Sequence, residues 1–222
     1  HCGIFLRAQS HIVRNEIREN HVGINVGLNG DRTLIQENDI TENDWGGIWI
    51  TNASECIITG NMVANNTDIG IWMRESGGAY LRNNTMIGNG YNFGGWGYNL
   101  SDFIHDIDSS NIINGKPIYY LVNQHDLILD LSTFPNPGYI ALINCTRVIV
   151  RDLIMTNNHQ GVLLAFTNNC ILQNVYVSQN QFGVDLRFSH NNSLVGNTLV
   201  SNVKGVYLFE SSNNTVSENT IM

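Results

Sequence analysis

Short bursts of alternating apolar and polar residues run along this chain. "GINV" at 23–26, "GIWI" at 47–50, "GIWM" at 70–73 and "GVYL" at 205–208 each place apolar side chains one and three residues after a glycine. A period of two is the signature of a strand with one buried face. The bursts return at a fixed interval, and further short strand-like runs between them leave no room for a helix. That is the pattern of a stacked repeat.

A second column makes the period explicit. An Asn with an apolar residue two places on recurs at Asn15, Asn38, Asn61 and Asn84, and again, with Asp in the first slot, at Asp152, Asn174, Asn197 and Asn219. The steps are 23, 23 and 23, then 22, 23 and 22. Three residues before each anchor stands Ile12, Ile35, Ile58, Leu81, Ile149, Ile171, Leu194 or Val216; two after it stands Ile17, Ile40, Val63, Met86, Ile154, Tyr176, Leu199 or Ile221. The glycine column is Gly23, Gly47, Gly70, Gly161, Gly183 and Gly205, and a further Asn column precedes it (Asn20, Asn43, Asn66, Asn89, Asn158, Asn180, Asn202). Each repeat thus holds two or three short strands joined at Asn/Gly corners. Stacking at about 4.8 Å lets an inward Asn bond the next coil, so Asn15, Asn38, Asn61, Asn84, Asn174, Asn197 and Asn219 are expected to form a hydrogen-bonded ladder.

Between Asn84 and Asp152 the Asn column fails, but Gly115, Gly138 and Gly161 keep a step of 23. The expectation is therefore one all-β domain over 1–222, a parallel β-helix solenoid of about ten coils. Regular coils cover 1–89 and 138–222, irregular coils 90–137, and an inserted loop lies near 90–114. The chain opens on "GIFL" and stops on "NTIM", both strand-like, which reads as a fragment of a longer protein.

Composition narrows the function classes. There are 33 asparagines but only two lysines, Lys116 and Lys204, and the formal net charge is −8. No basic stripe is present, so nucleic acid is not an expected partner. No apolar run approaches the length of a membrane helix.

The "N-x-[IVM]…N…G-[IV]-x-[ILV]" columns resemble the right-handed parallel β-helix repeats of pectin-lyase-like proteins, and more closely the NosD-like branch common in archaeal surface proteins. The segment "HDIDSSNIINGKPIYYLVNQ" (105–124) is similar to one characteristic of that branch. The right hand of the helix is implied by this resemblance alone. A leucine-rich repeat, with a similar period, would require Leu-dominated columns, and here they are Ile/Val-rich.

Candidate chemistry is sparse. Asp102, His105, Asp106 and Asp108 form the densest polar cluster, suited by residue type to acid–base work or to a calcium ion. "DFIHD" is similar to the Asp-Pro-His-Asp motif of alginate C5-epimerases, with two residues in place of the proline. The alternative is a solvated loop. Outward positions of the glycine-started strands carry Phe5, Trp49, Trp72 and Tyr207 beside Arg7, Arg74, Asp185 and Arg187, of which Trp49, Trp72, Arg74, Asp185, Arg187 and Tyr207 are carbohydrate-binding candidates. Arg74 and Arg187 stand about five coils apart, too far to act together. No regular column brings two carboxylates to a glycosidase separation of about 5–9.5 Å.

His1, His21, Asp68 and His159 share one column without making a metal site, although the NosD resemblance brings copper maturation into view. Cys2, Cys56, Cys145 and Cys170 form no C-x-x-C pair and are expected to stay free. Seven Asn-x-Ser/Thr sequons, at Asn52, Asn65, Asn83, Asn99, Asn144, Asn191 and Asn213, are glycosylation candidates and favour a secreted protein. The reading leans away from an enzyme. Its leading form is a non-catalytic extracellular or cell-surface module that assembles end to end with its own copies through exposed strand edges. Its alternatives are polysaccharide binding, uronate-polymer processing and a NosD-like role.

Overall fold

The computed structural model describes residues 1–222. It consists of short strands with a single 3-10 turn at Leu100–Phe103, and divides into two compact units, His1–Ile118 and Tyr119–Met222.

In the first unit each coil contributes one strand to each of three parallel sheets. The wide sheet stacks Cys2–Leu6, Val22–Val26, Gly46–Thr51, Ile69–Arg74 and Tyr91–Trp96. Its inward column is Ile4, Ile24, Ile48, Ile71 and Phe93. The other two sheets stack Ile12, Ile35, Ile58, Leu81 and Ile107, and Ile17, Ile40, Val63, Met86 and Ile113. β-Branched side chains dominate because each packs against its like one coil away. Burying each is worth about 1.5–3 kcal/mol. The final coil departs from the pattern, because Ile112–Ile113 pairs antiparallel with Lys116–Val122 across a two-residue turn.

The second unit repeats the plan. Its wide strands are Tyr139–Ile143, Gln160–Ala165, Phe182–Arg187 and Lys204–Phe209, with inward Ile140, Val162, Val184 and Val206 in register.

Corners turn through left-handed backbone. Arg14, Glu37, Gly60 and Asn83 have φ of 59, 53, 66 and 54°, and Asp152, Asn174, Gly196 and Glu218 have 56, 52, 66 and 59°. After each comes an inward residue. In the first unit it is Asn15, Asn38, Asn61 or Asn84, each Oδ1 from Asn38 onward accepting both the backbone and side-chain N–H of the Asn one coil back at 2.9–3.1 Å. The ladder reaches Asn111, whose Oδ1 accepts from Asn84 at 2.8 Å. This rung spans 27 residues where the others span 23.

The glycine column answers to close approach and not to positive φ. A Cβ on Gly47 would lie 2.7 Å from the Gly70 carbonyl oxygen and 2.4 Å from Val63 Cγ1.

Two expectations need correction. In the second unit the inward slots are Leu153, Val175, Asn197 and Asn219, evenly 22 apart; the Val175 N–H donates to Asn197 Oδ1 at 3.0 Å. Asn174 is an exposed left-handed corner and not a ladder residue. The pairing Val150–Leu172–Leu194 and Met155–Val177–Leu199 confirms the shift. Ile154 and Tyr176 therefore face outward, 55% and 41% exposed. "IVRDLIMT" and "ILQNVYVS" are apolar in both parities, so the polar Asp and Asn misdirected the alignment. Second, the stretch after residue 90 is not wholly a loop, since Tyr91–Trp96 is a wide strand paired with Ile69–Arg74.

Candidate functional site

The outward column of the first unit's wide sheet runs Phe5, Asn25, Trp49, Trp72 and Gly94. Beside it, Thr51, Arg74 and Trp96 form the next column. Phe5 is 54% exposed, and Trp45, just before its strand, is 45% exposed. The Trp45 ring centroid lies 4.7 Å from His21 and 4.9 Å from Trp49. Gly46 makes this possible, because a Cβ there would meet Trp49 Nε1 at 2.3 Å. At the other side the Arg74 guanidinium sits 4.9 Å over Trp96 with its Nε 3.0 Å from Glu75, and Trp96 meets Tyr98 edge-on at 4.5 Å. The result is a row of aromatic rings edged by a fixed cation. It can stack flat apolar faces and offer hydrogen bonds from Asn25 and Thr51.

The insertion cluster is dispersed by its own contacts. Asp102 Oδ2 accepts the Tyr98 and Asn99 backbone N–H groups at 2.9 Å and caps the 3-10 turn. Arg82 binds Asp106 at 2.5 Å and Asp108 at 3.0 Å, its guanidinium 4.1 Å over Tyr80. His105 is buried, and its Nδ1 accepts the Ala79 backbone N–H at 3.3 Å. It occupies the inward corner slot that Ser10, Thr33, Cys56 and Ala79 fill in the preceding coils. The four side chains do not converge on a reacting atom. No group of three or more His, Cys, Asp or Glu side chains is placed to hold a metal ion, so the calcium expectation finds no ligand set here.

Burial lowers the His105 pKa from 6.5 to about 4. The unfolded chain takes up the proton first, so the stabilisation is complete above pH 6.5 and is lost as pH falls towards 4. Acid titration of the urea midpoint should lose up to about 3 kcal/mol across that window. His105→Thr, carrying the residue that Thr33 places in the same slot, where its hydroxyl accepts the Ser10 N–H, should flatten much of that limb.

In the second unit, Asp185 and Arg187 are 0% and 1% exposed, so they do not present a surface to a polysaccharide. They pair with each other, Arg187 Nε donating to Asp185 Oδ2 at 2.9 Å. Gln160 Nε2 donates to the same oxygen at 3.3 Å, and Tyr139 bonds Gln160 at 3.3 Å. Burial raises the Asp185 pKa, and the Arg187 guanidinium opposes the rise. Both take the outward parity of their strand, and alternation tells which face a residue takes and not what packs on that face. Tyr207 is half-buried, 4.7 Å from the Lys204 ammonium and 5.5 Å from the Arg187 guanidinium.

The four cysteines are free. Cys170 fills a ladder slot, its sulfur accepting the Val148 N–H at 3.3 Å, and burial pushes its thiol and that of Cys56 up to about 11. All seven sequon asparagines are exposed. Six of them (Asn52, Asn65, Asn83, Asn144, Asn191 and Asn213) are left-handed corners, each followed by an inward residue and then a Ser or Thr leading into the next turn or strand. Corner geometry thus accounts for six of the seven. No helix is long and apolar enough to cross a membrane.

Among solved structures, the periplasmic alginate epimerase AlgG is similar at 15% identity and a TM-score of 0.40, covering 97% of this chain and 51% of that one. A mutant of the same enzyme gives 16% and 0.36, with 96% and 50% covered. The chain spans about half the length of these structures. No curated protein matches it. Residues 2–124 match the family described as "Right handed beta helix region", and residues 104–222 match "Periplasmic copper-binding protein (NosD)". Each match takes in more than half of the sequence, and the chain belongs to the right-handed β-helix proteins and, within them, to the NosD family.

Proposed function

We propose that this chain is a non-catalytic, glycan-binding β-helix module of the periplasm or cell exterior. The observation that carries the proposal is the outward row Phe5, Asn25, Trp49 and Trp72 with the Arg74–Trp96 pair at its edge. Trp49 and Trp72 stack one coil apart and are half-buried, and partly open rings in line along a sheet suit the C–H faces of successive sugar units. The dispersal of Asp102, His105, Asp106 and Asp108 among structural contacts supports binding over turnover. The periplasmic description of the NosD family supports the location.

The copper named in that family's description finds no group of three or more His, Cys, Asp or Glu side chains to hold it in this chain. Cys56, Cys145 and Cys170 are buried, and their sulfurs are engaged with backbone groups of the corners. Copper is therefore left out of the proposal.

Calorimetry against neutral and acidic polysaccharides tests the reading. Trp49→Ala with Trp72→Ala should weaken binding at least about tenfold, as loss of two anchors at ~1 kcal/mol or more each implies. The circular dichroism of the solenoid should persist. Unchanged affinity in the double variant would reject the row as the site. Electron microscopy of the intact protein reads assembly directly, and fibres without glycan affinity would favour an end-to-end structural role.

A further inference from the structure

The chain contains three Asn-Gly pairs: Asn29–Gly30, Asn89–Gly90 and Asn114–Gly115. Such a pair is chemically weak wherever the glycine nitrogen can reach the asparagine side-chain carbonyl. The fold treats the three very differently.

Gly30 is buried and its N–H donates to the Gly27 carbonyl at 2.9 Å, while a Cβ there would strike Val26 at 2.3 Å. That peptide has no room to turn. Asn89 is buried, its side-chain amide donating to the Val63 carbonyl at 2.9 Å and to Asn92 at 3.0 Å, and the Gly90 N–H donates to Asn66 at 3.0 Å. Both partners of that reaction are held apart.

Asn114 and Gly115 form the exposed turn between Ile112–Ile113 and Lys116–Val122, with φ of 47 and 79°. Two consecutive positive φ values mark a two-residue hairpin turn. A Cβ on Gly115 would meet nothing within 4 Å, so the peptide has open space on that side. Asn114 Oδ1 accepts the Gly88 backbone N–H at 3.1 Å. A donor on that oxygen draws electron density from Cγ and stabilises the oxyanion that forms when a nucleophile adds there.

We propose that Asn114 is a self-modifying site, deamidated by its own backbone. The Gly115 backbone nitrogen gives up its proton to solvent base and adds to Asn114 Cγ. The new C–N bond closes a five-membered imide as the side-chain nitrogen leaves, protonated, as ammonia. Water then opens the ring at either carbonyl, leaving aspartate or isoaspartate at 114. No oxidant, reductant or enzyme enters. The product carries one additional negative charge at the hairpin, and the isoaspartate form lengthens the turn backbone by one methylene.

Incubation of the intact, folded protein at mildly alkaline pH tests this, with peptide mapping by mass spectrometry and isoaspartyl methyltransferase labelling. The acid form should accumulate at Asn114 ahead of every other asparagine, with a one-charge acidic shift of the whole protein. Asn114→Gln should abolish that shift with an unchanged circular dichroism spectrum, and Asn114→Asp should reproduce the charge from the outset. Modification first at Asn29 or Asn89, or an acidic shift that persists in Asn114→Gln, overturns the assignment. So does modification that appears only in the urea-unfolded chain, which would show that the turn protects the pair.

Discussion

Arg187→Ala is expected to destabilise the protein by about 3–5 kcal/mol near neutral pH, the usual cost of removing one partner from a buried ion pair. Arg187 and Asp185 are two residues apart on one strand and so share a face. With the guanidinium gone, the buried carboxylate keeps the Gln160 amide at 3.3 Å and the weaker pull of the Lys204 ammonium. Burial already raises Asp185, and Arg187 is the group that works against it, so the variant's carboxyl rises further. The folded state then holds a proton that the unfolded chain has released. The penalty should therefore be smallest in acid and grow as pH climbs from the unfolded Asp value through the raised folded one. Urea denaturation of wild type and variant at several pH values measures it. A pH-independent deficit would mean that lost packing, and not the stranded charge, is responsible. Asp185→Asn with Arg187→Met should recover most of the loss, since a buried pair replaced by well-packed groups of similar volume is often neutral.

Asn61→Ala should cost a similar amount, about 3–5 kcal/mol, by orphaning several groups that each cost roughly 1–3 kcal/mol when left buried and unbonded. Asn61 is 1% exposed. Its amide nitrogen donates to the Ile35 carbonyl at 2.9 Å, to Thr59 at 3.2 Å and to Asn84 Oδ1 at 2.9 Å. Its oxygen accepts the backbone and side-chain N–H of Asn38 at 3.0 Å. Asn61→Asp separates the roles: it keeps the acceptor, loses the donors and sets a carboxylate oxygen against Asn84 Oδ1, so it should be at least as damaging. The reciprocal change, Val175→Asn, restores in the second unit the residue that the first unit uses, and should be tolerated within about 1 kcal/mol. Equal losses in Asn61→Ala and Val175→Asn would show that the slot responds to volume and not to hydrogen bonding.

Val175 also marks where the sequence ceases to be readable. The first unit was legible because Asn38, Asn61 and Asn84 fill the inward slot themselves, whereas in the second unit Leu153 and Val175 fill it and the polar Asp152 and Asn174 stand one place before. In the second unit Ile149 beside Val150, and Ile154 beside Met155, satisfy either parity. A one-residue slip then exchanges the inner and outer faces without breaking the pattern. Asn111 was lost for a different reason, because the elongated coil changed its spacing while its ladder geometry stayed intact. At the site, the aromatic row over Trp49 and Trp72 followed from alternation and period alone. The burial of Asp185, Arg187 and His105 did not, since each depends on neighbours distant along the chain.

The repeat period, the strand-and-corner grammar and the inward Asn columns were determined by the sequence itself, because each arises from residues within one coil and its copy 22 or 23 places away. Stacking imposes that spacing locally, and it shows as columns. Tertiary structure alone decided which parity faces inward where both are apolar, and which outward charges are covered. It also decided which Asn-Gly pair is free to react. Those outcomes depend on what packs across a face and on where a peptide has room to move, and neither leaves a periodic trace along the chain.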